Sequence, residues 1–173
     1  MKLLILSDLF GNRNTNWINS YIDLLKHNFQ VQFYDCCELA EIDTKLTEKD
    51  NIHQQFIDGG IEKAVKKILQ KEKDEISVII GFSIGGLIAW KAVLSGLNAS
   101  YICAVSSTRL RYETQKPKVL IDLFFAENDP YKPDEKWFEF MQLDKVIFKN
   151  EAHEFYMKQE YANEISNQIV EKI

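Results

Sequence analysis

Apolar positions along this chain follow two alternating rhythms. Some form short unbroken runs, and others recur every three or four residues over longer stretches. Leu3–Ser7 is the first run, with the length and continuity of a strand buried on both faces. After a turn over 8–16, Trp17, Ile18, Tyr21, Ile22, Leu24 and Leu25 recur at helical spacing. Gln30–Tyr34 alternates polar with β-branched and aromatic residues and reads as a second strand. Residues 38–52 hold seven charges and no glycine or proline, the pattern of a solvated loop, helical in part. Phe56, Ile57, Ile61, Ala64, Val65, Ile68 and Leu69 then form an amphipathic stripe. Ile76–Ile80 carries the strongest strand signal, followed by a helix over Leu87–Leu94 and a strand over Tyr101–Val105. Val119–Ala126 predicts another strand, Glu135–Met141 a short helix and Lys145–Phe148 a last short strand. Tyr156–Ile173 closes the chain as a helix with Ile165, Ile169 and Val170 inward.

Six strands interleaved with helices imply a three-layer αβα sandwich around a mostly parallel sheet, covered on both faces. No internal repeat and no linker interrupts the pattern, so 1–173 is expected to form one domain. In such a sheet the chemistry lies beyond the carboxyl ends of the strands, in the strand-to-helix loops.

Composition narrows the picture a little. At 46 % hydrophobic and 27 % charged the chain is ordinary globular protein. With 21 basic against 26 acidic residues it has a formal net charge of −5 and no basic balance for a nucleic-acid partner. Cys36, Cys37 and Cys103 are too few for a disulfide framework and lack zinc-type spacing, so no metal site is expected. The initial apolar stretch is four residues long and runs into Asp8 through Ser7, unlike a signal peptide. Between Ile76 and Thr108 the only charge is Lys91, but Gly81, Ser83, Gly85, Gly86, Gly96 and Asn98 break the run short of the ~18 apolar residues a span needs. A soluble, cytoplasmic protein without membrane partners is expected.

One loop stands out. Gly81-Phe82-Ser83-Ile84-Gly85-Gly86 sits between the strongest strand and a helix, which is G-x-S-x-G in the setting of a nucleophile elbow. There the serine occupies a turn sharp enough to strain its backbone and push its Oγ toward substrate. Glycines flank it because a Cβ would collide with the neighbouring strand and helix. The following helix offers an exposed N–H, from Ile84, to a developing oxyanion. The plainer alternative is a serine that only caps the helix. A dinucleotide loop would need glycine in place of Ser83, and a P-loop would need Gly-Lys-Ser/Thr, which is absent.

A serine hydroxyl needs a base and an orienting acid to act as a nucleophile, and around such an elbow they follow in the order serine, acid, histidine. Of three histidines, His27 and His53 precede Ser83, leaving His153 in the polar loop before the last helix. The acid should close the preceding strand. Asp129, with Pro130 fixing the turn after it, is preferred over Glu127, and Asp122 lies mid-strand. A second oxyanion donor would come from the loop after the first strand, from Leu9 in preference to Phe10.

Ser83, Asp129 and His153, in this order and on these loops, resemble the α/β-hydrolase family. The resemblance spans nearly the whole chain, with three departures. Ser7-Asp8 stands where His-Gly is usual, Glu151-Ala152 stands where glycine is common before the histidine, and the Ser106–Lys118 connection is too short for a cap domain. The resemblance implies a minimal, lidless serine hydrolase that cleaves small carboxylic esters or thioesters through an acyl-enzyme, with no metal or organic cofactor. The partner implied is a small-molecule acyl substrate. A site without a lid is expected to be open and shallow. Phe10, Arg109 and Arg111 lie on the same edge, the arginines suited to an anionic group or simply solvated. Cys36 and Cys37 read as small packing residues. Two other readings share the sequence: an α/β-hydrolase fold that serves only as a binding module, and an acyltransferase using the same three residues. Oligomeric state is not encoded in these patterns.

Overall fold

The computed structural model describes residues 1–74 and 76–173. Its six strands are β1 (Lys2–Leu6), β2 (Gln30–Tyr34), β3 (Val78–Phe82), β4 (Tyr101–Val105), β5 (Leu120–Ala126) and β6 (Val146–Phe148). They form one sheet in the order β2-β1-β3-β4-β5-β6, with every neighbouring pair parallel. Among the described residues seven α-helices accompany them: α1 (Asn16–Leu25), α2 (Cys36–Ala40), α3 (Lys49–Gln55), α4 (Ile61–Lys71), α5 (Ile84–Leu94), α6 (Glu135–Met141) and α7 (Gln159–Lys172).

Burial explains the strand order. β3 and β4 are buried at every residue and sit in the middle, whereas β2 and β6 carry exposed residues and form the edges. Alternation along the central strands divides the core in two. Leu3, Ile5, Ile80, Phe82, Cys103 and Val105 face α1 and α7. Leu4, Leu6, Ile79, Ile102 and Ala104 face the layer of α2, α4, α5 and α6. The three-layer sandwich expected from the pattern is therefore the observed one. The 106–119 connection holds only a 3₁₀ turn at Leu110–Tyr112, so no lid is inserted there. Trp90 and Trp137 pin that connection by donating their indole N–H groups to the carbonyls of Gln115 and Glu113.

Several boundaries differ from the sequence reading, each for a local reason. β3 extends through Gly81 and Phe82, which pair with Ala104 and Val105, while Ile76 makes only an isolated bridge to Ala99. α5 begins at Ile84 rather than Leu87, because Gly85 and Gly86 have weak helix propensity but are needed for close packing. The stripe beginning at Phe56 is interrupted by a π-type turn over Phe56–Gly60, where Gly59 has φ +107°. Ile57 lies outside the core as a result, 37 % exposed. Residues 38–52 are not simply a solvated loop. The Asp35 carboxylate caps α2 by accepting the N–H groups of Cys37 and Glu38, and α3 follows after a turn. The last helix starts at Gln159, and Tyr156 belongs to a 3₁₀ turn over His153–Met157.

Candidate active site

The parallel sheet delivers three loops to one edge. β3 ends at Phe82, and Ser83 turns the chain into α5 with φ +50° and ψ −115°. A serine rarely adopts this conformation, and it persists only where the surroundings enforce it. Here the Ser83 N–H donates to the Val105 carbonyl, and the Ser83 carbonyl accepts from the N–H groups of Gly86 and Thr108. The end of β4 and the loop that follows it thus hold the serine's backbone on both sides. A Cβ on Gly81 would lie 2.6 Å from the Gly85 carbonyl carbon, and one on Gly85 would lie 2.4 Å from the Ser7 carbonyl oxygen. Only glycine permits this contact between β1, β3 and α5.

The acid turn follows β5 and the histidine loop follows β6. Asp129 is held there by the Tyr131 N–H, which donates to its Oδ1 at 2.8 Å. Its Oδ2 accepts from His153 Nδ1 at 2.9 Å, and His153 Nε2 stands 3.1 Å from Ser83 Oγ. The Asp129 carboxylate fixes the tautomer with the proton on Nδ1, so Nε2 faces the serine as an acceptor. All three residues are buried, with the Asp129 side chain fully so. The histidine loop is fastened from two sides. Ser106 Oγ donates to the His153 carbonyl at 2.7 Å, and the Asn128 N–H donates to the Glu151 carbonyl. Glu127, the alternative acid, accepts from the Asn150 N–H and braces the loop instead. Asp122 lies away from the site, where it bonds Tyr101 and Lys172.

The loop after β1 lies across from the serine. Phe10 donates its N–H to Asp8 Oδ1, whereas neither the Leu9 nor the Ile84 N–H meets an acceptor among the described residues. Cys36 and Cys37 do more than fill space. The Cys36 N–H donates to Ser7 Oγ, and the two thiols point at the Ser7 and Leu9 carbonyls at 3.1 Å each, anchoring this loop. Burial pushes the Cys36 thiol far up and the Cys37 thiol up to about 12, so both stay protonated and unreactive.

Asp8, where the resemblance noted above leads one to expect glycine, is 3 % exposed and borders the same cleft. Burial raises its carboxyl above the usual range, although the Phe10 N–H and the Tyr156 hydroxyl, both donating to it, favour the ionised form. A carboxyl with a raised folded value stabilises the fold below its unfolded value, and that contribution is lost as pH rises through the folded value. Asp8→Asn would keep the Phe10 bond and offer an amide N–H to the Tyr156 oxygen. It is expected to melt about 2–4 °C above wild type at pH 8, the effect of about 1 kcal/mol in a protein of this size. The gap should close by pH 4. Thermal melts across that range check it, and an equal gap at both pH values would refute the burial argument.

Together these elements enclose a cleft of about 140 Å³. Its walls include Leu9, Phe10, Ser83, Arg109, Arg111 and His153, all named from sequence, and Ile84 follows Ser83 at the start of α5. The cleft is more walled than a lidless chain suggested, because α3 contributes Lys49, Asp50 and His53, and Tyr131 and Tyr156 line it too. Burial, followed by the Arg109 cation, holds the His53 imidazole below its ordinary range. Sequence order alone had set His53 aside, and its one signal was that the chain has just three histidines. Among the described residues no cluster of His, Cys, Asp or Glu converges as metal ligands would, and no helix is long and apolar enough to cross a membrane.

Comparison with solved structures places this architecture. Mouse alpha/beta hydrolase domain-containing protein 10 superposes with a TM-score of 0.72 at 10 % identity, covering 99 % of this chain and 88 % of its own. The chain has the α/β-hydrolase fold. An alpha-beta serine hydrolase homologue from Coxiella burnetii gives a TM-score of 0.66 at 16 % identity, over 99 % of this chain and 85 % of the other. A Xanthomonas campestris protein described as an a/b serine hydrolase without lid gives 0.61 at 12 % identity, over 98 % and 81 %. No protein-family model matches the sequence, and no curated protein does. The α/β-hydrolase likeness therefore rests on backbone shape.

Proposed function

We propose that this α/β-hydrolase-fold protein is a serine hydrolase that cleaves small carboxylic esters or thioesters. The observation that carries the reading is the continuous relay from Asp129 Oδ2 through His153 to Ser83 Oγ, at 2.9 and 3.1 Å, on a strained elbow. His153 Nε2 takes the serine proton as Oγ attacks the carbonyl carbon, and the Asp129 carboxylate stabilises the imidazolium formed. The N–H groups of Ile84 and Leu9, which bond no other described group, receive the oxyanion. The imidazolium then protonates the leaving alcohol or thiol, leaving an acyl-enzyme. Water, deprotonated by His153, attacks that ester in the second step and releases the acid and the free serine.

Structural neighbours described as serine hydrolases support the reading, and none of them points to a substrate for this chain. A fluorophosphonate probe tests it, since such a reagent phosphonylates only an activated serine. Wild-type protein should label stoichiometrically, and Ser83→Ala and His153→Ala should not. Folded wild-type protein that stays unlabelled would instead favour a binding module on this fold. Trapping the acyl-enzyme and offering alcohols or amines in competition with water separates hydrolysis from acyl transfer.

A further inference from the structure

We propose that the substrate carries an anionic group, a carboxylate or phosphate, which Arg109 and Arg111 hold at the mouth of the cleft; this deepens the hydrolytic reading and rests on it. The chain has three arginines, and two of them line this one cleft in a protein of net charge −5. Both are half-buried, and neither is ion-paired with a carboxylate among the described residues. By contrast Lys2, Lys91, Lys158 and Lys172 each meet a carboxylate.

What holds the guanidinium groups leaves their charge intact. The Cζ atoms of Arg109 and Arg111 lie 4.9 and 4.6 Å from the centre of the Tyr112 ring. Arg111 also donates Nη1 to the Tyr131 carbonyl at 2.9 Å, and Lys49 stands 5.5 Å from the Tyr131 ring centre. Stacking on an aromatic face fixes a guanidinium plane while its N–H edge stays free for the bidentate geometry that carboxylates and phosphates match. The backbone argues the same way. Arg109 has φ +68°, a left-handed conformation unusual for a side-chain-bearing residue. It follows Thr108, whose N–H donates to the Ser83 carbonyl. The cation is thus carried on a segment fastened to the nucleophile's own turn, which sets its distance from the scissile bond. The opposing carboxylates of the cleft do not neutralise it. Asp50 and Glu154 are exposed at the rim, and Asp8 is turned inward to Phe10 and Tyr156.

Two substrate pairs test the proposal. Mono-4-nitrophenyl adipate against 4-nitrophenyl hexanoate places the charge on the acyl side. The 4-carboxyphenyl ester of hexanoic acid against its 4-carbamoylphenyl counterpart places it on the alcohol side. In one pair kcat/KM should favour the anion by about 10-fold or more, the scale of a charge-assisted contact. That ratio should fall about 10-fold in Arg109→Gln and in Arg111→Gln, and shrink with added salt. Turnover of all four esters without an anionic preference would overturn the proposal and leave the hydrolase standing. If wild-type protein turned over none of them, the hydrolytic reading would fail. Calorimetric titration of the adipate monoester into Ser83→Ala protein would then decide. Binding lost on adding Arg109→Gln keeps the anion site, and no binding refutes it.

Discussion

Replacing Ser83 with alanine is expected to lower kcat/KM toward an activated ester about 10⁴-fold or more, with the fold unchanged. Among the described residues the Oγ makes one hydrogen bond, to His153 Nε2, and the elbow is held by backbone contacts that alanine retains. His153→Ala should cost about as much, and the double variant little more than either single one, because nucleophile and base act as a unit. Asp129→Asn tests the orienting role separately. An amide donating to Nδ1 would favour the wrong tautomer, with a loss on the order of 10⁴ in kcat. Steady-state kinetics on a 4-nitrophenyl ester, with near-ultraviolet dichroism to verify folding, reads all four. A folded Ser83→Ala protein with a tenth of wild-type activity would remove Ser83 from the mechanism.

Gly85→Ala is expected to be the most damaging single substitution outside the relay itself. Its Cβ would lie 2.4 Å from the Ser7 carbonyl oxygen and 2.7 Å from that of Leu6, both backbone atoms at the end of β1. No side chain can rotate away, so α5 and β1 must separate. That should cost about 3 kcal/mol or more, the upper end for overpacking, and lower the melting temperature by about 6–12 °C. The same separation moves Leu9 relative to Ser83. Activity should therefore fall even at temperatures where the variant stays folded. Thermal melts and kinetics below the transition check both parts, and a variant within 1 °C of wild type would mean that this contact tolerates a methyl group.

Local features made much of this legible from sequence. Continuous apolar runs in β1, β3 and β4 announce strands buried on both faces, and the pattern over Tyr101–Val105 and Glu135–Met141 matches the observed limits of β4 and α6. The elbow was visible because its physics demands glycine, serine and glycine at fixed spacing between a strand and a helix. His153 is the one histidine after Ser83, and Asp129 is marked by its place after a strand and before Pro130. Where glycine serves close packing, helix propensity understates the helix by nearly a turn, as at the start of α5. In the charged 38–52 segment the helical pattern is short, and tertiary contacts decide it.

By itself, then, the sequence determined the strands, the longer amphipathic helices, the layering and the order of the candidate relay, since burial and turn strain are written in neighbouring residues. Only the tertiary structure decided which distant side chains share the cleft. Lys49 and His53 of α3 meet Arg109, Arg111 and Tyr131 there, and Asp8 turns inward to Tyr156. The physical reason is that these meetings depend on strand order and on how far each connection reaches over the sheet edge. Neither quantity has a period or a spacing along the chain.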